Sequence, residues 1–170
     1  MHLARRQIAA AELGRQAGRV THSIGEVFYI GYTTAAQTDE EGWRHAEGEL
    51  TLGEATEGFQ SDLHTWSMAE YEAQWRTAVA RLLAGQTESA LLTSYRGPEA
   101  AYHFLWPMWR VGTTVYLQER IVLTEDLAEP FDPGQPWTVV GERSTVNEDG
   151  VPVSEWEVPL GQLAPFMVDG

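Results

Sequence analysis

The sequence predicts an α+β fold: an antiparallel sheet of about five to seven strands with one long amphipathic helix, residues 68–84, packed on a face. Three observations predict it. Residues 66–85, WSMAEYEAQWRTAVARLLAG, carry a helix start, a helical period and a helix stop in one stretch. Several segments rich in β-branched and aromatic residues lie on either side of it, separated by turn sequences. Apolar residues make up 43% of the 170 and aromatics 11%, enough for one core in a chain of this length.

The helix is the best specified element. Ser67 followed by Glu70 is a capping box, in which each side chain satisfies a backbone N–H that the first turn leaves unpaired. Trp66 and Tyr71 stand where a hydrophobic staple needs them. Met68, Tyr71, Trp75, Ala78, Val79, Leu82 and Leu83 recur at three- and four-residue steps and line one face, and Gly85 supplies a left-handed stop. Glu72 and Arg76 face the other way as an i,i+4 pair.

The remaining elements follow in order. Residues 1–19 are alanine-rich with a thin apolar stripe (Leu3, Ile8, Leu13) and read as an N-terminal helical extension, loosely docked, ahead of one α+β domain over residues 20–170. Residues 20–34 read as a strand with Phe28, Ile30 and Tyr32 inward, and residues 43–52 as its hairpin partner across the charged turn 38–42. Phe59 and Leu63 read as a loop into the helix. Residues 89–95 suit a central strand beneath the helix, and residues 101–111 an edge strand interrupted at Pro107. Residues 113–123 form the longest strand candidate. Three prolines within residues 129–136 demand a loop, residues 137–145 and 151–158 read as two strands around the turn 147–150, and residues 160–167 as a short helix or 3₁₀ turn.

Composition excludes several functions. There is no cysteine, so no disulfide, thiolate metal site or cysteine nucleophile, and no lysine, so no Schiff base or phosphate-loop lysine. The histidines (His2, His22, His45, His64, His103) show no H-x-x-x-H spacing, and no serine sits in G-x-S-x-G. No catalytic, cofactor-binding or metal residues are therefore expected. No run reaches membrane-spanning length and no apolar leader follows the first arginines, which points to the cytoplasm.

Charge is the other strong signal. Twenty-five acids stand against 11 basic residues, all arginine, for a formal charge of −14. Four arginines and one glutamate fall in residues 1–19, which leaves seven arginines and twenty-four acids in the remainder. Such a surface repels nucleic acid and anionic lipid and attracts a basic protein.

The stretch Phe59-x-Ser61-x-Leu63-x-x-Trp66, then Tyr71-x-x-x-Trp75 with Arg81-Leu82-Leu83 and Gly85, then Ser89 through Ser94 and the aromatic segment to Trp109, resembles the CdiI-type immunity proteins of contact-dependent growth inhibition systems. With the flanking strands the resemblance covers roughly residues 27–165. It implies a non-enzymatic cytoplasmic protein, needing no cofactor, that binds and neutralises a toxin domain delivered by a neighbouring bacterium, commonly a nuclease. A cationic nuclease groove would meet an acidic inhibitor as it meets its polyanion. The toxin-binding candidates are then the acidic positions Asp39, Glu40, Glu41, Glu47, Glu72, Glu125, Asp126, Glu148 and Asp149. Phe59, Trp66, Ser67, Tyr71, Trp75, Leu82, Ser94 and Trp109 read as the family's scaffold. Two other readings stay open: a small enzyme or ligand-binding domain with a pocket of Tyr102, Trp106, Trp109 and Tyr116 around His103, and a homo-oligomer joined by the aromatic edge.

Overall fold

A computed structural model describes residues 27–168, and the extension expected over residues 1–19 lies outside them. The chain is α+β, as expected, but its strands form two antiparallel sheets. The first contains β1 (Phe28–Tyr32), β2 (Gln37–Thr38), β3 (Arg44–Leu52) and β4 (Ala55–Asp62). The second contains β5 (Glu88–Ser94), β6 (Tyr102–Val111), β7 (Thr114–Leu117), β8 (Arg120–Leu123) and β9 (Trp156–Pro159). Helix α1 (Met68–Leu83) joins them, so one sheet under one helix is corrected to two sheets, while the short helix or 3₁₀ turn expected over residues 160–167 is a 3₁₀ turn, Leu160–Gln162, followed by a second helix, α2 (Ala164–Val168).

The local signals of α1 fold as their chemistry requires. The Glu70 N–H donates to Ser67 Oγ (3.2 Å) while the Ser67 N–H donates to the Glu70 carboxylate (2.7 Å), closing the capping box. The Trp66 and Tyr71 rings meet edge to face at 5.3 Å. Gly85, at φ +107°, lets Gln86 N–H reach the Arg81 carbonyl (3.0 Å) and Gly85 N–H the Leu82 carbonyl (3.1 Å), the paired bonds of a Schellman stop. The expected Glu72–Arg76 pair does not form: the Arg76 guanidinium lies 5.5 Å over the Phe166 ring.

Strand β4 occupies what reads in sequence as a loop. Its alternation turns Phe59 and Ser61 inward, opposite Gly48 and Ala46 of β3. Gly48 is needed there because a Cβ would run into the Phe59 ring and lie 2.8 Å from the Gly31 carbonyl oxygen. Phe59 in turn packs at 5.6 Å on Trp75, beside Tyr32.

The second sheet inverts two expectations. β6 is central, with β5 on one side and β7 and β8 on the other, and β5 is the edge. Pro107 is tolerated inside β6 because its backbone faces Gln118, where the expected strand 113–123 divides into β7 and β8. Of the strands expected at 137–145 and 151–158, only Trp156–Pro159 pairs with the sheet; Pro136–Val139 is a 3₁₀ turn, and Val146 and Pro152 form an isolated bridge.

The exposed edge of β5 is closed by side chains. Gln74 donates to the Ala90 carbonyl (2.9 Å) and accepts from the Leu92 N–H (2.8 Å), and Trp75 Nε1 donates to the Leu92 carbonyl (2.8 Å). The Tyr71 hydroxyl accepts from the Tyr95 N–H (2.8 Å) and donates to the Asp62 carbonyl (2.6 Å). Helix α1 thus satisfies strand backbone that would otherwise be a buried, unpaired edge. Around these bonds Trp75, Tyr71, Leu82, Leu91, Leu105, Met108 and Leu117 are wholly buried in a core that draws residues from both sheets.

Candidate functional site

The outer face of the first sheet is an open acidic surface. Alternation along β3 sends Ala46, Gly48, Leu50 and Leu52 into the core and leaves Glu47 and Glu49 exposed on the other side. Gln60 of β4 stands opposite Glu47 and donates to its carboxylate at 3.3 Å. On β1, Tyr29 pairs with Thr51 and its ring reaches along the strand over Gly31, which itself pairs with Glu49. Half of Tyr29 is solvent-exposed although both its chain neighbours, Phe28 and Ile30, are buried. A large, half-exposed ring lying over Gly31, whose cross-strand partner is Glu49, has the anatomy of an interface anchor.

The candidate acids of this sheet continue from that face. Asp39, Glu40 and Glu41 form the exposed turn into β3, where Asp39 Oδ1 accepts from the Glu41 and Trp43 N–H groups (3.0 and 2.8 Å) and so also shapes the turn. Trp43 stacks on His45 at 4.3 Å and donates from Nε1 to Asp62 (2.9 Å). The other candidates stand elsewhere. Glu72 is exposed on α1, Glu125 and Asp126 in the 3₁₀ turn Thr124–Asp126 after β8, and Glu148 and Asp149 in a turn that Asn147 caps by accepting from Asp149 and Val151 N–H. Four of the nine, Asp39, Glu40, Glu41 and Glu47, therefore share the first sheet, and five lie outside it. Tyr29 and Glu49 complete the face. Sequence reasoning passed over Tyr29, although the parity that turns Phe28 and Ile30 inward turns Tyr29 out.

The negative field of this surface is little offset by the arginines. Of the seven in residues 27–168, six lie over a ring or donate to backbone carbonyls: Arg76 over Phe166, Arg81 over Trp137, Arg96 over Tyr102, Arg110 to Leu82, Arg120 over Trp109 and to Val140, and Arg143 over Tyr116. Arg143 also grips both oxygens of the Glu155 carboxylate, donating from Nε and Nη2. The first sheet itself carries one arginine, Arg44, exposed at the start of β3, and the excess of acids over arginines in the chain sets the sign of the surface potential.

The aromatic segment builds core, not a pocket. Tyr102 and Trp106 share one face of β6, while His103, Trp109 and Tyr116, the partner of Trp109, share the other. Trp106 packs on Trp156, and Trp109 donates from Nε1 to the Gly141 carbonyl at 3.0 Å. His103 is wholly buried, stacked on Phe131 at 4.6 Å and tilted against Tyr95 at 5.0 Å. Burial, and behind it the Arg96 charge, pulls its imidazole down to about 4. Its Nδ1 accepts from the Arg96 N–H at 3.3 Å, so the proton of the neutral ring sits on Nε2. Two open grooves, one lined by residues 52–55, Thr114, residues 157–159 and Gln162, the other by Ala36, Arg44, Leu63 and residues 65–70, contain none of these five side chains. Among the described residues no three His, Asp or Glu side chains are grouped to hold a metal ion.

The scaffold candidates are all engaged internally. Phe59, Tyr71, Trp75 and Leu82 pack in the core, Trp66 and Ser67 open the helix, Ser94 Oγ accepts from the Asp62 N–H (3.2 Å), and Trp109 lies beneath Arg120.

The family model of the CdiI N-terminal domain matches residues 61–166, well over half of the chain. This chain belongs to that family. The immunity protein CdiI of Enterobacter cloacae subsp. cloacae is 27% identical to it over 127 residues, spanning 71% of this chain and 87% of that protein. Among solved structures, the CdiA-CT/CdiI toxin and immunity complex from Enterobacter cloacae contains a chain that superposes with a TM-score of 0.76 at 23% identity, over 84% of this chain and 97% of that one. The two-sheet fold is thus a CdiI fold, and the matched region holds α1, the capped edge of β5 and the whole aromatic segment.

Proposed function

We propose that this chain is an immunity protein that binds and neutralises the toxin domain of a contact-dependent inhibition system. Its membership of the CdiI N-terminal domain family carries the reading, and the immunity protein named among its relatives supports it. The toxin docks along the outer face of the first sheet, from the turn Asp39 to Glu41 at one end of β3, past Glu47 and Glu49, to Tyr29 as the aromatic anchor at the other end. The toxin is a basic nuclease whose substrate groove this face occupies, because a cationic groove and a surface of exposed carboxylates attract over a Debye length and exclude the polyanionic substrate.

Inhibition of this kind is stoichiometric and non-enzymatic. Action in the cytoplasm follows from a partner that reaches intracellular nucleic acid; among the described residues no helix is long and apolar enough to cross a membrane. Residues 20–170 act as one domain, a reading supported by the core that the two sheets share.

The test is co-expression of the toxin domain encoded beside this chain's gene, with and without this protein. Protection of the cells and a stable complex on gel filtration are the expected results. Growth arrest in both cultures, with no complex, would sink the proposal.

A further inference from the structure

The second sheet has an unfinished edge. β9 pairs with β7 from Thr114 to Leu117 and stops at Trp156, where Glu155 turns away to meet Arg143 and Gln118. Strand β8 continues the line of β7 without a neighbour on that side. The ladder phase shows which groups this leaves. Gln118 donates to the Pro107 carbonyl (3.2 Å) and Thr124 to the Ala101 carbonyl (2.9 Å), so the even residues of this stretch bond towards β6. The N–H and C=O of Ile121 and Leu123 therefore point outward, and among the described residues neither has a backbone partner.

The side chains beside this edge are apolar and part-exposed. Leu123 faces Tyr102 and Ile121 faces Phe104 across the β6–β8 pair, and Ile121 and Leu123 are 42% and 43% exposed. An edge strand normally carries a guard, such as a lysine, a proline or a covering loop. Here the local arginine, Arg120, turns inward to the Val140 carbonyl and the Trp109 ring. Exposed acids stand at both ends: Glu119 before the strand, Glu125 and Asp126 after it.

We infer that the outward edge of β8 takes up an extended strand of the toxin domain, which adds to the second sheet as a neighbour of Ile121 and Leu123. This rests on the reading of the chain as an immunity protein and gives it a second contact, separate from the acidic face of the first sheet. The incoming strand presents apolar side chains to Tyr102, Phe104, Ile121 and Leu123 and basic residues to the acids at the two ends. Main-chain bonds give such a contact its strength, and alternate side chains its selectivity. A second copy of this chain fits poorly. Antiparallel pairing of β8 with itself would set Glu119 of one copy against Glu125 and Asp126 of the other, and opposed like charges destabilise a strand pair.

Amide hydrogen exchange on the full chain, alone and with the toxin domain encoded beside its gene, tests this. The Ile121 and Leu123 amides should exchange rapidly in the free protein and slow by about tenfold or more in the complex. Two variants add a second readout. Ile121→Pro removes one outward N–H without touching the β6–β8 ladder, and Leu123→Lys sets a charge against a basic strand; each should weaken binding about tenfold or more with the melting curve preserved. A complex that forms while both amides exchange at the free rate, or that both well-folded variants bind as the parent does, overturns the edge and leaves the immunity reading standing. Absence of any complex removes both. Protection that appears in the isolated chain as its concentration rises, with a dimer mass, overturns the inference in favour of a second copy; protection at all concentrations in the monomer overturns it in favour of residues 1–26.

Discussion

Gln74 offers the sharpest test of how the two halves of the fold are joined. It is a polar residue on the buried stripe of α1, 5% exposed, and its amide donates to the carbonyl of Ala90 and accepts from the N–H of Leu92. A residue of a neighbouring parallel strand makes the same two bonds with its N–H and C=O, so one side chain stands in for the strand that β5 lacks. Gln74→Met keeps the length and helix propensity of the side chain but leaves two buried backbone groups without partners. At about 1–3 kcal/mol for each group, the expected loss is roughly 2–6 kcal/mol. For a chain of this size that lowers the melting temperature by about 2–4 °C per kcal/mol. Gln74→Glu refines the test, because only the protonated acid can still donate to Ala90. Its folded-state pKa is expected to rise above the unfolded value of about 4.3, so the variant's stability should be greatest below that pH and fall as pH rises through the folded value. Urea unfolding followed by tryptophan fluorescence measures both. A loss below about 1 kcal/mol for Gln74→Met would refute the strand-surrogate reading, since it would mean that water satisfies the edge.

Three further outcomes follow. His103 titrates near 4 when folded, well below the ordinary value near 6.5, so protonation favours the unfolded chain: the stability it confers is complete above about pH 6.5 and is lost as pH falls towards 4. That predicts a loss of about 2 kcal/mol between pH 7 and pH 5, which His103→Phe should abolish; an unchanged pH slope in that variant would contradict the assignment. Gly48→Ala should cost about 1–3 kcal/mol by pushing the Phe59 ring off Trp75, and a melting curve equal to the parent's would mean that the ring moves freely. Tyr29→Ala should weaken toxin binding by about 2 kcal/mol, roughly 30-fold, with little effect on stability because half the ring is already in water; equal affinity by calorimetry would move the interface elsewhere.

Helix α1 was legible because cap, staple, stripe and stop are local chemistry and need no knowledge of what lies opposite. The strand pairings were not, since they depend on partners far away in sequence. Residues 55–62 have mixed polarity and lack a strong strand signal, yet they pair with β3 along their whole length once Gly48 admits Phe59. Residues 101–111 read as an edge strand, but the strand is central and buries Trp106 and Trp109 on opposite faces. Proline 107 misled for the same reason: its missing N–H meets a break in the partner strand, which no reading of β6 alone reveals. Residues 137–145 have the composition of a strand, yet Pro136–Val139 turns as a 3₁₀ helix and Trp137 lies under Arg81. Of the site, net acidity and the family signature were visible, whereas the way the acids divide between the first sheet and the helix and turns outside it, and the place of Tyr29 among them, required the fold.

The central claim, that this chain captures a basic toxin domain through an acidic surface, is tested most directly by the association rate as a function of salt. Stopped-flow mixing with the toxin domain encoded beside this chain's gene should give a rate constant that falls by about tenfold or more as salt is raised from roughly 0.02 to 0.5 M. Replacing Glu47 and Glu49 with glutamine should flatten that dependence. A rate constant indifferent to salt, or no association at any salt concentration, would contradict the account.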